Sequence, residues 1–314
     1  MSLTLRQLRY FEALAREGSF GRAAAAVNIS QPALSMQIRE LEDRLGAPLI
    51  ERLPREVRLT RIGREVLRRA SHVLAEMAEL EAVPRRARGL MGELKLGVIP
   101  TVAPYLLPVA LTRLRARDLT LEIRVREAQT AQLLAGLEAG ALDAAVLALP
   151  VDTGALEAIP LCEDRFVLAG SAARLERLGP AAEDLRPTEL GADQLLLLDE
   201  GHCLADQAIA ACSLDPTRRR VDLGASSLAT LCGLVAEGFG LTLLPEIAVR
   251  SELAGAPALR LRRFSAPEPR RTLALLRRAT GGMQEDWFAE LGAVLQASLG
   301  DLLDQAHRIA PVAE

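Results

Sequence analysis

The chain has 314 residues with a formal net charge of −3, and half of its residues are hydrophobic. At roughly 150 residues per domain this suggests about two domains, and the balance excludes a fibrous or long disordered protein. No stretch approaches the roughly 18 continuous apolar residues of a membrane span, and Arg6 and Arg9 are not followed by an apolar segment of the secretory kind. Four cysteines, at 162, 203, 212 and 232, are too few and too widely spaced for a disulfide scaffold. With three histidines, a structural zinc site is not expected. A reducing cytoplasm is the expected home. Residues 1–70 hold thirteen arginines and eight acidic residues, a balance of +5 that leaves −8 for the remainder. A basic end on an acidic body fits a nucleic-acid-binding module joined to a larger domain, and equally fits compositional scatter.

Residues 4–61 read as a compact helical unit. Leu8, Phe11 and Ala15 recur at helical spacing and Gly18 ends that helix. Phe20, Ala23, Ala24 and Val27 give a second, short one. After Asn28-Ile29, Ser30 is placed to cap a third helix and Pro32 is tolerated in its first turn. Leu34, Ile38, Leu41 and Leu45 form one apolar stripe, ended by Gly46, while Pro32, Ser35, Met36 and Arg39 lie on other faces. Helix, short turn and helix is the helix-turn-helix arrangement, whose second helix enters the major groove. Gln31 and Ser35 can then hydrogen-bond bases and Arg39 a phosphate. Any three-helix core shows similar stripes, so periodicity alone leaves DNA binding open. Residues 47–60, with Arg52, Arg55 and Arg58, suit a two-stranded wing.

A longer helix follows over 62–83, with Val66, Ala70, Val73, Met77 and Leu80 in a coiled-coil rhythm and Pro84 expected to break it. That seam fits dimerisation, or packing on its own domain. From residue 92 strands and helices alternate. Strands are expected at 94–99, 119–126 and 144–149, and helices at 105–117 and 129–139. Further units run to about 278, and a last helix covers 283–305. The alternation implies parallel sheets with sites at the strand ends, and the length implies two α/β lobes with a cleft. Cys162 and Cys232 read as core residues, and His72 and His307 as surface or packing residues.

Leu8–Phe11, Ser19-Phe20, Ala23-Ala24, Ser30-Gln31-Pro32-Ala33-Leu34-Ser35, Leu41-Glu42, Leu45-Gly46, Glu51-Arg52 and Thr60-Arg61-Ile62-Gly63 carry a resemblance to the LysR-type transcriptional regulators. The resemblance implies a winged helix-turn-helix domain (1–61), a linker or dimerisation helix (62–91), and an α/β effector domain of two lobes resembling periplasmic binding proteins (92–314). It also implies a homodimer or homotetramer that binds promoter DNA through Gln31, Pro32, Ser35, Arg39, Arg52 and Arg55 and contacts RNA polymerase. The wing tip, Leu53-Pro54-Arg55-Glu56, and Met36 depart from the family's usual polar and basic residues.

Gly201-His202-Cys203-Leu204, Asp206-Gln207-Ala208, Cys212, the run Gly97–Pro108, Glu127-Ala128-Gln129-Thr130 and Pro267–Arg271 resemble the OxyR-type peroxide-sensing subfamily. That resemblance implies a peroxidatic thiolate at Cys203 and a resolving thiol at Cys212. It implies peroxide contacts from Thr101, Thr130, His202, Gln207 and Arg271, no cofactor, and a glutaredoxin- or thioredoxin-like reductant. A helix start at Cys203, with His202 adjacent, would favour the thiolate. If 203–212 is helical, the two cysteines stand about 13 Å apart, whereas a disulfide needs about 7 Å or less. The helix would then have to unwind. Ala205 departs from the usual basic residue of that subfamily. A LysR-type regulator binding a small metabolite between its lobes is the alternative. An enzyme is not expected, since no G-x-S-x-G, P-loop or H-E-x-x-H motif is present and Gly238-Phe239-Gly240 reads as a turn. The N-terminal 90 residues argue against a solute-binding protein.

Overall fold

The computed structural model describes residues 3–52, 57–86, 93–117, 121–152, 154, 156–179, 185–191, 193–199, 201–214, 225–279 and 286–312. The chain divides into two compact units. One is Met1–Pro84 with Glu138–Ala141, the other Arg85–Leu137 with Leu142–Glu314.

The first unit opens with α1 (Leu5–Glu17), α2 (Phe20–Ala26) and α3 (Gln31–Leu45). Their ends follow from local chemistry. The Thr4 hydroxyl accepts from the Gln7 N–H, and the Ser30 hydroxyl accepts from the Ala33 N–H. Gly18 and Gly46 take left-handed φ of 60° and 68° at the C-termini of α1 and α3. Leu8, Phe11, Leu14, Ala23, Ala24, Leu34, Ile38 and Leu41 form the core. Leu45 does not complete the expected stripe. It is 36% exposed, because the chain turns away at Gly46 one residue later.

The wing is a hairpin of β1 (Ile50–Arg52) and β2 (Val57–Leu59), with Ile50 opposite Leu59. Its tip, with Pro54, Arg55 and Glu56, lies outside the described residues. Oε1 of Glu42 accepts from the N–H groups of Leu49 (2.7 Å) and Ile50 (3.1 Å), which fixes the wing to α3. Thr60 donates to the Pro48 carbonyl and accepts from the Gly63 N–H. A Cβ on Gly63 would stand 2.0 Å from the Leu49 carbonyl oxygen, so this turn admits only glycine.

Helix α4 runs from Arg61 to Arg86, so Pro84 does not break it as expected. A proline this near the C-terminus removes one hydrogen bond and leaves the preceding turns intact. The seam divides. Ala70 is buried, and Val66, Leu67 and Leu74 pack on the core of this unit, while Val73 and Leu80 stand 45% and 64% exposed.

The second unit is built on a seven-stranded sheet in the order β4-β3-β5-β9-β6-β7, with β8 also on β6. The strands are β3 (Glu93–Val98), β4 (Glu122–Glu127), β5 (Ala144–Leu149), β6 (Leu156–Ser171), β7 (Thr242–Pro245), β8 (Leu259–Arg262) and β9 (Arg270–Arg278). Only part of the sheet is parallel, which corrects the all-parallel expectation. β3 pairs β4 and β5 in parallel, while β9 runs antiparallel to β5 and β6. The 16-residue β6 is the reason. Leu156–Arg165 pair with β9 apart from Leu161, where the register shifts, and Phe166–Ser171 pair with β7 and β8. One strand thus serves two lobes, and an α-helical crossover between each successive strand is not needed.

Helices α5 (Ala103–Arg117) and α6 (Thr130–Glu138) cross between the parallel strands of the first lobe. Short α7 (Ala172–Glu176), α8 (Cys203–Ala211), α9 (Leu228–Ala236) and α10 (Val249–Gly255) belong to the second. The closing helix α11 (Asp286–Ile309) covers the sheet with Trp287, Phe288, Leu291, Leu295 and Leu299 buried.

Candidate functional site

The parallel strands β3, β4 and β5 end in three neighbouring loops, and such carboxyl ends are where α/β sheets place ligands. The loop after β3 carries Thr101, 2% exposed. The loop after β4 carries Gln129 and then Thr130, the first residue of α6. The end of β5 offers the Leu149 carbonyl.

The start of α8 meets these loops. Gln207 donates from Nε2 to the Leu149 oxygen at 3.4 Å. A Cβ on Gly201 would stand 2.6–2.7 Å from the side-chain atoms of Gln129. His202 and Thr101 line one cavity of about 120 Å³, together with Tyr105, Glu127, Ser226, Ser227 and Glu252. The sequence-derived residues Thr101, Thr130, His202, Cys203 and Gln207 are thereby brought to one end of the sheet, and Arg271 joins them through Thr101.

Cys203 is the first residue of α8 and His202 its N-cap. The first-turn N–H groups of a helix have no intrahelical acceptor, and they favour an anion. Cys203 is partly exposed. The other thiols are set differently. Burial pushes Cys212 up to about 11, and burial followed by the Asp164 charge pushes Cys162 up to about 12. Burial, then Glu252, raises Cys232. These three remain thiols near neutrality, and the thiolate is the nucleophile.

Three buried polar atoms at this site lack a partner among the described residues. They are Thr130 Oγ1, His202 Nδ1 and Gln207 Oε1. Leaving a buried polar group unpaired costs about 1–3 kcal/mol each. Thr130 opens α6, while His202 caps α8 and Gln207 lies within it; unpaired atoms of this kind are what a small polar ligand would satisfy.

Arg271 is fixed from two sides. Its Nε and Nη2 donate to Asp164 Oδ2 at 3.0 and 2.9 Å, and its Nη1 donates to Thr101 Oγ1 at 2.9 Å. Burial raises the Asp164 pKa, while Arg271 and the Ile247 N–H work against it. Asp164 is not legible as a site residue in the sequence alone. Alternation along β6 puts it on the face of Phe166, and an acid on an apolar face was the available signal.

Cys203 and Cys212 stand at opposite ends of α8. Cys212 is its C-cap, buried, with its N–H on the Ala208 carbonyl. At 1.5 Å per residue their Cα atoms are about 13 Å apart, so this helix and a Cys203–Cys212 disulfide exclude each other. The helix is short and rich in alanine, and Leu204 and Ile209 are its large buried side chains. At about 1.5–3 kcal/mol each, they supply about 3–6 kcal/mol, and nine residues are too few for a helix to stand without packing. Ala205 is buried and has no side chain to reach the sulfur. His307 sits 3.2 Å from Glu246, far from this helix in sequence and outside the site.

Two expectations follow. Gly201 has φ +91°, so Gly201→Ala costs about 1–3 kcal/mol in backbone strain, read by urea unfolding. The end of the Gln129 side chain can move aside, so strain outweighs the clash. For Cys212, the folded pKa near 11 exceeds the ordinary 9.0. Its contribution to stability is complete below pH 9 and is lost as pH rises toward 11. Under reducing conditions Cys212→Ala therefore shows a shallower fall in stability than wild type over that window.

The helix-turn-helix side is simpler. Gln31, Pro32 and Arg39 are exposed on α3, Ser35 is half-buried and Met36 is 55% exposed. Arg52 closes β1, and Arg55 lies outside the described residues.

Residues 5–64 match the model for the bacterial regulatory helix-turn-helix protein, lysR family, and residues 87–290 match the LysR substrate binding domain. A probable hydrogen peroxide-inducible genes activator of Streptomyces viridosporus is 42% identical over 95% of both chains. The DNA-binding transcriptional dual regulator OxyR of Escherichia coli is 38% identical over 98% of this chain and 100% of its own. Among solved structures, full-length Pseudomonas aeruginosa OxyR in a cysteine-to-aspartate variant has a TM-score of 0.72 at 34% identity, over 95% of both chains. An H2O2-bound cysteine-to-serine mutant of Corynebacterium glutamicum OxyR has a TM-score of 0.66 at 34% identity, over 100% of this chain and 98% of that one. This chain belongs to the LysR family of bacterial regulatory helix-turn-helix proteins, among the hydrogen peroxide-inducible genes activators.

Proposed function

We propose that this chain is a cytoplasmic, promoter-binding transcriptional regulator that senses hydrogen peroxide by oxidation of Cys203 and a disulfide with Cys212. The observation that carries the reading is that Thr130 Oγ1 at the start of α6, and His202 Nδ1 and Gln207 Oε1 on α8, are buried without a partner among the described residues. The Cys203 thiolate attacks one peroxide oxygen, forming an S–O bond as the O–O bond breaks. The departing hydroxide takes a proton and leaves as water. The sulfenic acid then condenses with the Cys212 thiol, releasing a second water. Thr101, Thr130, His202, Gln207 and Arg271 hold the peroxide. A glutaredoxin- or thioredoxin-like dithiol reduces the bridge. The oxidation is a stoichiometric signal, not a turnover.

In this reading residues 1–61 bind DNA, 62–91 link and dimerise, and 92–314 sense. Gln31, Pro32 and Ser35 approach base edges, and Arg39, Arg52 and Arg55 approach phosphates. A homodimer or homotetramer contacts RNA polymerase. Unwinding of α8 is the local event, and a changed promoter footprint is its readout.

Footprinting reduced and peroxide-treated protein on its own upstream DNA tests the reading. The footprint changes for wild type and stays fixed for Cys203→Ser; a Cys203→Ser protein that still responds overturns it. Arg39→Ala is expected to weaken binding alike across sequences and to lower the salt slope by about one, measured by anisotropy at several salt concentrations.

A further inference from the structure

Asp164 has no part in the reading above, yet it is fully buried in the sensing unit and its carboxylate oxygens meet three donors. Oδ2 accepts from Nε and Nη2 of Arg271 at 3.0 and 2.9 Å. Oδ1 accepts from the Ile247 N–H at 3.2 Å. The carboxylate is therefore held from β9 on one side and from the turn after β7 on the other. It in turn fixes the plane of the guanidinium. The remaining nitrogen, Nη1, points to Thr101 Oγ1 at 2.9 Å, and Nη2 approaches the Thr101 carbonyl at 3.4 Å. A threonine hydroxyl has one hydrogen and two lone pairs. With an N–H of Arg271 on one lone pair, the hydroxyl hydrogen must point elsewhere. Thr101 lines the same cavity as His202, the neighbour of Cys203.

We propose that Asp164 is a positioning residue of the peroxide site: it holds Arg271 so that Thr101 is oriented as a donor toward the peroxide oxygen that leaves. The inference rests on the peroxide-sensing reading. When the Cys203 thiolate forms its S–O bond, negative charge gathers on the departing oxygen until it is protonated to water. An oriented O–H donor there stabilises that charge without reorganising. Asp164 touches neither sulfur nor peroxide and acts through Arg271 and Thr101.

The test compares two reagents on Cys203 in the full-length reduced protein. Hydrogen peroxide needs the oriented donor, whereas iodoacetamide needs only an accessible thiolate. Asp164→Asn is expected to slow oxidation by peroxide at least tenfold while alkylation at the same pH changes less than twofold. Thr101→Val slows oxidation similarly, and the double variant is no slower than Thr101→Val alone. Asp164→Glu, which keeps the charge, recovers part of the rate. Equal losses toward both reagents, or losses from Asp164→Asn and Thr101→Val that multiply independently, overturn the inference. If Asp164→Asn does not fold, Asp164→Leu with Arg271→Met removes both buried charges together. That protein has to oxidise as slowly as Thr101→Val, and a wild-type rate overturns the proposal. Wild-type Cys203 that ignores peroxide defeats the sensing reading itself. Wild-type Cys203 that reacts while Asp164→Asn keeps its rate defeats the positioning of Asp164 alone.

Discussion

Peroxide treatment is expected to strip amide protection from Cys203–Ala211, with the rest of the sensing unit far less affected. Hydrogen exchange read by mass spectrometry resolves that segment. Length decides this: nine residues of helix hold the two sulfur-bearing residues about 13 Å apart, and a disulfide admits about 7 Å. The opposing term is small. Leu204 and Ile209 are the large side chains that α8 buries, so about 3–6 kcal/mol holds it down. The ordering entropy of nine residues, about 1–2 kcal/mol each, opposes that burial, so the net bias toward the helix is smaller still and a covalent bond overrides it. Cys212→Ser should oxidise at Cys203 and yet keep α8 protected, because no bridge can form. Retained protection in bridged wild-type protein would show that the helix does not move as described.

Arg271→Met is expected to destabilise the sensing unit by about 3–5 kcal/mol, since it leaves Asp164 buried without its counter-charge. The adjacent arginine supplies the control. Arg270 pairs with Glu163 at 3.0 Å, but both side chains are more than half exposed. Arg270→Met should therefore cost about 0–1 kcal/mol. Two neighbouring arginines with similar ion-pair distances differ because one pair has lost its water and the other has not. Urea unfolding of the two variants measures the difference, and comparable losses would contradict it.

The parts of this fold that are legible in the sequence are those set by local chemistry. Ser30, Gly18 and Gly46 act within a few residues of themselves, and the stripes of α1 and α3 need only helical period. Leu45 fails because exposure depends on where the chain goes after Gly46. The seam of α4 carries two signals at once, since Ala70 faces its own core while Val73 and Leu80 do not. The long β6 is hidden for a different reason. Its register is set by β9, a hundred residues away, and Pro160 and three acidic residues interrupt any apolar run. Cys203, His202 and Cys212 are legible by resemblance, and their place at the two ends of one helix agrees with the spacing argument. The unpartnered atoms of Thr130, His202 and Gln207 exist only once three loops and a helix end converge. Asp164 requires knowing that Arg271 stands opposite it in the β6–β9 ladder.

Peroxide sensing by Cys203 is decided by non-reducing peptide mapping after brief exposure to low peroxide, with Cys203→Ser in parallel. A Cys203–Cys212 bridge is expected to form quickly, to reverse with thiol and to be absent from the variant. Cys203 that stays reduced, or that oxidises without bridging while DNA binding is unchanged, would contradict it.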